Sequence, residues 1–396
     1  MEWVQGEVVV AVTKGKPSAM AALTSAALAL PAISQLAHAD SMPSETELGY
    51  RYSDYQEDDL KSEDVLVGSR DRYDVSTHQF RLLAPVGDQT SLKIDALYET
   101  MTGASPMGTV EGANGDPVLI MTGASIQDTR VDVVAELRRY QGRSSNAVSV
   151  GYSAEDDYTA LNAGVDFQRD SRDGIVSWSG GMGVSYDELE PEQTPGINRI
   201  EAEDRWFLNG YVARAKVHSV VWQTQLGLYV GVYDGYMSDP YKSIDVRPDS
   251  RQQIAVSAKS RYFLRRYDAA LHGDYRYYSD DWGIRSHTLK FTWHQSLTES
   301  LRVSPSLRYY SQSQADFYVS TDSVGRSGYQ SSDHRLSPFG AVAYGVGVNY
   351  RQPKYSLVFS MEQYESDGRY GAKSVEIPNP ALVSYTLMTL GIDYRL

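Results

Sequence analysis

The sequence predicts an all-β protein: a closed antiparallel transmembrane β-barrel of about 16 strands, within about 14 to 18, with short periplasmic turns and long outer loops. Three observations carry this expectation. Apolar residues recur with period two in runs of about ten residues, long enough for a strand tilted across a bilayer and longer than the five or six usual in soluble sheets. Long and short connections alternate along the chain. The chain ends on TLGIDYRL, Thr389 to Leu396, whose alternate residues Leu390, Ile392, Tyr394 and Leu396 are apolar up to the last position. The last residues of a soluble domain are usually frayed or polar.

Composition narrows the class. The 396 residues include 41% hydrophobic side chains and carry a formal charge of -14. No apolar run of about 18 residues follows the N-terminal region, which excludes a bundle of membrane-spanning helices. The negative charge argues against nucleic acid as a partner, because a protein that binds a phosphate backbone needs a basic face. Cysteine is absent, so disulfides, thiolate metal sites and covalent c-type haem are excluded together. No cofactor is predicted. Tyrosine stands out at 30 residues, and there are 32 glycines. Amphipathic rings suit the two interfaces of a bilayer, and glycines within strands mark close backbone approach.

The N-terminus supplies a compartment. Lys14 and Lys16 precede an apolar stretch from Met20 to Leu30, Pro31 breaks it, and Ala37-His38-Ala39 places small residues where a signal peptidase reads. The expected organisation is a signal peptide over residues 1–39, cleaved before Asp40, and a barrel over 40–396 in the cell outer membrane. A short membrane anchor is the alternative that Pro31 and the brevity of the apolar core disfavour.

The alternation places strands at roughly 46–56, 73–83, 90–100, 128–140, 145–154, 158–168, 174–186, 204–217, 219–233, 251–263, 266–278, 284–296, 299–311, 338–351, 354–365 and 383–396. Ser91 to Glu99, for example, sets Leu92, Ile94, Ala96 and Tyr98 against Lys93, Asp95 and Glu99. Most odd-numbered connections are long, and several are acidic, as in QEDDLKSEDVLVGSRDR and DELEPEQTPGINRIEAED. Even-numbered ones such as QRDSRDG and YRQPKY are short, and AEDDYT and SDDWG are short exceptions among the odd set. The acidic loops read either as solvated or as gathering divalent cations beside lipopolysaccharide. The segment from Met101 to Asp128 is long enough to fold into the lumen.

Thr389-x-Gly391-x-x-Tyr394-x-Leu396 resembles the C-terminal signal that hands outer-membrane proteins to the barrel-assembly machinery, although its usual last residue is Phe or Trp. The stretches ELGYRYSDYQEDD, VRPDSRQQIAVSAKSRYFLRRYDAALHGDYRYYSDDWGIRSHTLKFTW and SPSLRYYSQSQADFY resemble the bacterial family of domain of unknown function 3570, which are outer-membrane proteins by prediction. The resemblance implies an outer-membrane barrel with no agreed activity. Through the company such proteins keep with a periplasmic flavin transferase and a small lipoprotein, it also implies a periplasmic or lipoprotein partner. The residues themselves show no flavin site.

No catalytic residue or metal ligand set emerges. The seven histidines include no pair at helical metal spacing. His272 with Asp274, and His287 with His294, are the pairs that neighbouring strands would bring together. Ser286-His287 is a token nucleophile pair, but adjacent strand residues point to opposite faces. Turning the apolar register outward leaves Arg214, Lys216, Lys259, Arg261, His272, Arg276, Lys290, Arg302 and Arg308 facing the lumen, with Asp268 and Asp274 among them. Such a wall reads either as a basic surface that speeds anion passage or as a charge ladder that braces the barrel. The function expected is non-catalytic: a porin-like channel, or an envelope component that passes or binds small polar solutes. An outer-membrane lipid or glycan hydrolase and a scaffold for an envelope redox complex are the alternatives. The aromatic runs RYFLRRY and YRYYSDDW read as interfacial girdles or as a sugar-stacking channel.

Overall fold

The computed structural model describes residues 42–123, 126–193 and 199–396, so the expected signal peptide lies outside the described residues. Sixteen long strands make one wall: β1 (Glu47–Glu57), β2 (Asp74–Pro85), β3 (Thr90–Gly103), β4 (Ile126–Gln141), β5 (Ser144–Ala154), β6 (Tyr158–Asp170), β7 (Val176–Leu189), β8 (Glu203–Ser219), β9 (Trp222–Gly235), β10 (Ser250–Leu264), β11 (Ala269–Asp280), β12 (Arg285–Ser296), β13 (Leu301–Gln312), β14 (Phe339–Arg351), β15 (Tyr355–Asp367) and β16 (Tyr385–Arg395). Each pairs antiparallel with its neighbours in sequence, and β16 pairs with β1 from Glu47 opposite Arg395 to Glu57 opposite Tyr385. The ring is therefore closed, and every expected strand is present with ends shifted by at most three residues. Closure leaves no free edge, the one way a sheet can stand in hydrocarbon.

The two faces of the wall follow from period two. On the exterior, Val148, Val150, Leu161, Val165, Met182, Leu208, Leu226 and Leu390 are between 52% and 61% exposed. So much exposed aliphatic surface is at home only against lipid. The C-terminal stripe Leu390, Ile392 and Tyr394 belongs to this face, which explains why the chain stays apolar to its end. Tyr186 and Trp206, with ring centroids 4.8 Å apart, mark one margin of the band, and Trp178, Trp222 and Tyr262 mark the other.

The ends differ. Seven connections of two to five residues lie at one end, including 142–143, where Gly142 takes a φ of 60° that lets the hairpin turn in two residues. Eight connections lie at the other end, the longest covering 313–338. Three short segments there, Val65–Val67, Pro106–Glu111 and Pro117–Met121, form a small sheet apart from the barrel wall. Pro106–Glu111 and Pro117–Met121, from the β3–β4 connection, thus pair with each other and with the β1–β2 connection at the long-loop end.

Candidate functional site

The interior face alternates with the lipid face along every strand, and its charges are segregated. On β10 to β13 it carries seven cations, Arg251, Lys259, Arg261, Arg276, Lys290, Arg302 and Arg308, against two carboxylates, Asp274 and Asp280. On β3 to β7 the balance reverses: eight carboxylates, Asp95, Glu99, Asp128, Asp132, Glu136, Asp166, Asp170 and Asp187, stand against Lys93, Arg130 and Arg138. In a ring of sixteen strands β4 and β12 lie eight places apart, so the acidic and basic walls face one another across the lumen.

One rung concentrates the basic side. Lys259, Asp274, Lys290 and Arg308 are direct cross-strand partners in that order over β10 to β13. Lys290 and Arg308 are like charges placed opposite each other, an arrangement that costs stability in a sheet. Partial compensation is visible. Arg261 reaches Asp274 at 2.7 Å, and Arg308 reaches Glu362 on β15 at 2.6 Å and the Tyr385 hydroxyl at 3.3 Å. Arg276 lies over the Tyr278 ring, 5.6 Å from its centroid. On the acidic side Glu136 meets Arg138 at 3.1 Å and Lys93 at 3.5 Å.

Above this polarised lumen the long loops converge. The Ser243 N–H donates to the Met107 carbonyl at 2.8 Å, and the Asp322 N–H donates to the Thr109 carbonyl at 2.7 Å. Asp245 and Val246 pair with Ser331 and Gln330. The three loops that meet here leave the ring after β3, β9 and β13, six, four and six strands apart. A ring of that size is about 30 Å across, so loops rooted that far apart can touch only by reaching over the axis. Asn379, from the β15–β16 connection, donates to the Ser332 carbonyl at 2.9 Å and ties a fourth loop into the cap.

The cap is held by a buried ionic knot. Asp333, with no exposed surface, accepts from Arg247 at 2.7 Å and from the Arg335 Nε at 2.9 Å, and Lys242 lies 3.9 Å away. Its side chain also caps the turn of His334–Leu336 by accepting from the Arg335 N–H at 3.0 Å. Burial alone would raise the Asp333 carboxyl, but Arg335, Lys242 and Arg247 hold it well below the usual range. Burial pushes the Asp239 carboxyl up despite Arg335 at 3.6 Å, and burial keeps the His334 imidazole well below its ordinary value and hence neutral. Removing Asp333 would leave Arg247 with Asp245, at 2.8 Å, and Arg335 with Asp239, at 3.6 Å, and three cations short of the carboxylate they share.

The sequence over residues 20–375 matches the family described as Protein of unknown function (DUF3570). The chain belongs to this family. A search of curated proteins by sequence found no match. Among solved structures the fold is similar to a bacterial polysaccharide outer membrane secretin, with a TM-score of 0.51 and 9% identity, covering 90% of this chain and 100% of that one. It is similar also to CdiB from Acinetobacter baumannii, with a TM-score of 0.51 and 6% identity, covering 89% of this chain and 60% of that one. A ferric enterobactin receptor from Pseudomonas aeruginosa gives a TM-score of 0.45 at 10% identity over 89% of this chain and 60% of that one. The chain thus spans about 60% of the length of the latter two. At such identities the likeness concerns the fold, that of outer-membrane barrels.

Family membership leaves the site to be read from its own residues. The structure places Lys259, Arg261, His272, Asp274, Arg276, Lys290 and Arg308 on the interior face. Arg214 is a correction: it shares its face with Trp206, Leu208 and Val212, is exposed, and lies opposite Trp178 and Leu226 on the lipid side. Lys216 follows it. The cause is Ala213 and Ala215, small apolar residues buried on the interior, which mimic the lipid-facing stripe in sequence. The histidine pairing also differs from expectation. The His294 Nε2 lies 3.0 Å from the His272 Nδ1 and its Nδ1 2.9 Å from the Ser304 Oγ, while His287 turns to the exterior and meets the Tyr275 hydroxyl at 2.8 Å. Ser286 is buried on the opposite face from His287, so that pair does not converge.

Of the expected assembly signal, Gly391 faces the lumen beneath Arg51, and Tyr394 and Leu396 are exposed, Tyr394 on the exterior. Sequence reasoning missed the acidic wall, although the same parity rule applied to β3 to β7 would have found it. It also missed the knot of Asp333, Arg247 and Arg335, for which a single sequence holds no local signal.

Proposed function

We propose that the protein is a non-catalytic outer-membrane channel for small polar solutes, with an electrically polarised lumen and an outer mouth closed by a loop cap that opens. The rung Lys259, Asp274, Lys290 and Arg308 carries the reading. A ladder built only to brace the wall would alternate its signs, and this one sets Lys290 against Arg308 with Asp274 as the rung's one carboxylate, while eight carboxylates stand on the facing strands β3 to β7. A field across the lumen orients dipolar and zwitterionic solutes and draws anions along one wall, and a low-dielectric wall focuses that field. The C-terminal strand serves as the handle for the barrel-assembly machinery, lipopolysaccharide surrounds the long-loop end, and a periplasmic protein or lipoprotein partner meets the short turns.

The test is a reversal potential in planar bilayers under a salt gradient. Charge reversal at Lys259→Glu with Lys290→Glu should move the channel toward cations relative to the parent. An unchanged reversal potential in a conducting barrel would refute the polarised-lumen reading. A second reading, a scaffold barrel that passes nothing, is favoured by the convergence of loops over the mouth. It predicts no conductance even with the cap released.

A further inference from the structure

The exterior of a barrel strand rejects charge, yet Arg214 stands there. It is not alone. Trp178 on β7 has Arg169 on β6 and Arg214 on β8 as its direct cross-strand partners, so the three form one rung on the lipid face. Arg169 and Arg214 are exposed, Trp178 is 47% exposed, and the Arg214 guanidinium carbon lies 5.8 Å from the Trp178 ring centroid. Lys216 sits one step nearer the short-turn end on the same face, opposite Val176 and Thr224. Neither arginine is ion-paired with a carboxylate among the described residues. Asp173 in the adjoining turn is already engaged by the Ser171 hydroxyl and the Ile175 N–H.

The depth of this rung is fixed by its surroundings. Above it on β7 the exterior residues are Gly180, Met182 and Val184, then Tyr186 at the other margin. Eight residues of tilted strand rise about 20 Å along the bilayer normal, so Trp178 stands at one boundary of hydrocarbon and headgroup. At that depth an exterior arginine costs about 0 to 1 kcal/mol instead of the 2 to 4 it would cost at the midplane. The opposite margin of the same strands carries Glu188 opposite Asp204, and Asp234 opposite Trp206. On β6 to β9 the exterior cations therefore lie in one leaflet and the exterior carboxylates in the other, a division that mere polarity at strand ends does not produce.

We propose that Arg169, Trp178, Arg214 and Lys216 form a binding site for the headgroup of an anionic phospholipid in the leaflet beside the short turns. The guanidinium forks take the phosphate in bidentate hydrogen bonds. The indole packs at the glycerol level, where tryptophan is favoured, and Lys216 adds charge that selects a net-negative headgroup over a zwitterionic one. The inference rests on the exterior being lipid-facing and is independent of whether the lumen conducts.

The experiment is native mass spectrometry of the full barrel released from detergent micelles containing phosphatidylglycerol or phosphatidylcholine. The parent should retain phosphatidylglycerol in preference, and Arg169→Gln with Arg214→Gln should weaken retention about tenfold for each arginine, the worth of one hydrogen bond to a charged group. Arg169→Lys with Arg214→Lys should recover part of it, since charge returns without the fork. Both variants lie on an exposed face, and unchanged heat-modifiable gel mobility confirms that each is folded. Equal retention of phosphatidylglycerol by parent and glutamine variant would overturn the proposal. So would displacement of the lipid by inorganic phosphate, which would make the rung a site for free anions.

Discussion

Gly391 shows how one missing Cβ shapes the wall. It faces the lumen opposite Arg51, and a Cβ built there would stand 2.2 Å from the Arg51 Cδ. The glycine leaves a channel along which the arginine lies flat, donating to the Ile392 carbonyl at 3.1 Å and reaching Asp393 at 2.7 Å. This contact crosses the seam between first and last strands, the pairing that closes the barrel. Gly391→Leu should push the guanidinium off Asp393 and cost about 2 kcal/mol, the worth of a charge-assisted hydrogen bond in a half-buried site. A urea titration followed by heat-modifiable mobility would read this as a lower midpoint with an unchanged folded band, and an unchanged midpoint would show that Arg51 finds another partner. The residue scale is also where sequence reading failed at Arg214, because Ala213 and Ala215 are apolar without facing lipid. Alternation reports which residues share a face, and a side chain too small to prefer lipid does not say which face it is.

The elements divide by how local their causes are. The strands were legible because period two is written in consecutive residues, and each run repeats the same alternation. Length alternation fixed which connections share an end. The cap was not legible, since it arises where loops rooted six strands apart meet over an axis that exists only once the ring has closed. The turn at His334–Leu336 illustrates this: its capping aspartate looks like any loop carboxylate until Arg247 from another loop reaches it. The knot has a definite pH sense. Asp333 has a folded value depressed below the usual carboxylate range, so its contribution is complete above the unfolded value of about 3.9 and is lost only as pH falls through the depressed one. Asp239 acts in the opposite direction, since its raised carboxyl takes up a proton earlier on acidification, whereas His334, held neutral in the closed cap, gains a proton on opening once pH falls below the ordinary imidazole value of about 6.5. Asp333 contributes a constant amount over this range, so the cap should stay closed from about pH 8 to about pH 6.5 and open more readily below that, with conductance rising as pH falls towards about 5. Conductance that stays flat down to about pH 5 would show that His334 remains buried when the cap opens.

At the scale of the whole molecule the two charged walls and the cap make one device, a field that acts only on what the cap admits. The cap depends on Asp333 because Arg247, Arg335 and Lys242 all converge on its carboxylate. Asp333→Asn keeps the size and the hydrogen-bond acceptor but removes the carboxylate the three share, leaving Arg247 with Asp245 and Arg335 with Asp239. Breaking a buried pair by removing one partner costs about 3 to 5 kcal/mol, and because every 1.4 kcal/mol is tenfold, the ratio of open to closed caps should rise by about a hundredfold or more. None of the sixteen strands contains Asp333, so barrel closure and heat-modifiable mobility should be untouched. Liposome swelling with sugars of graded size gives the readout. The parent should swell slowly, and Asp333→Asn should swell faster up to a size limit set by the lumen. If the folded variant swells no faster than the parent, the cap is not the barrier, and the barrel is better understood as a scaffold whose charged walls serve its own bracing.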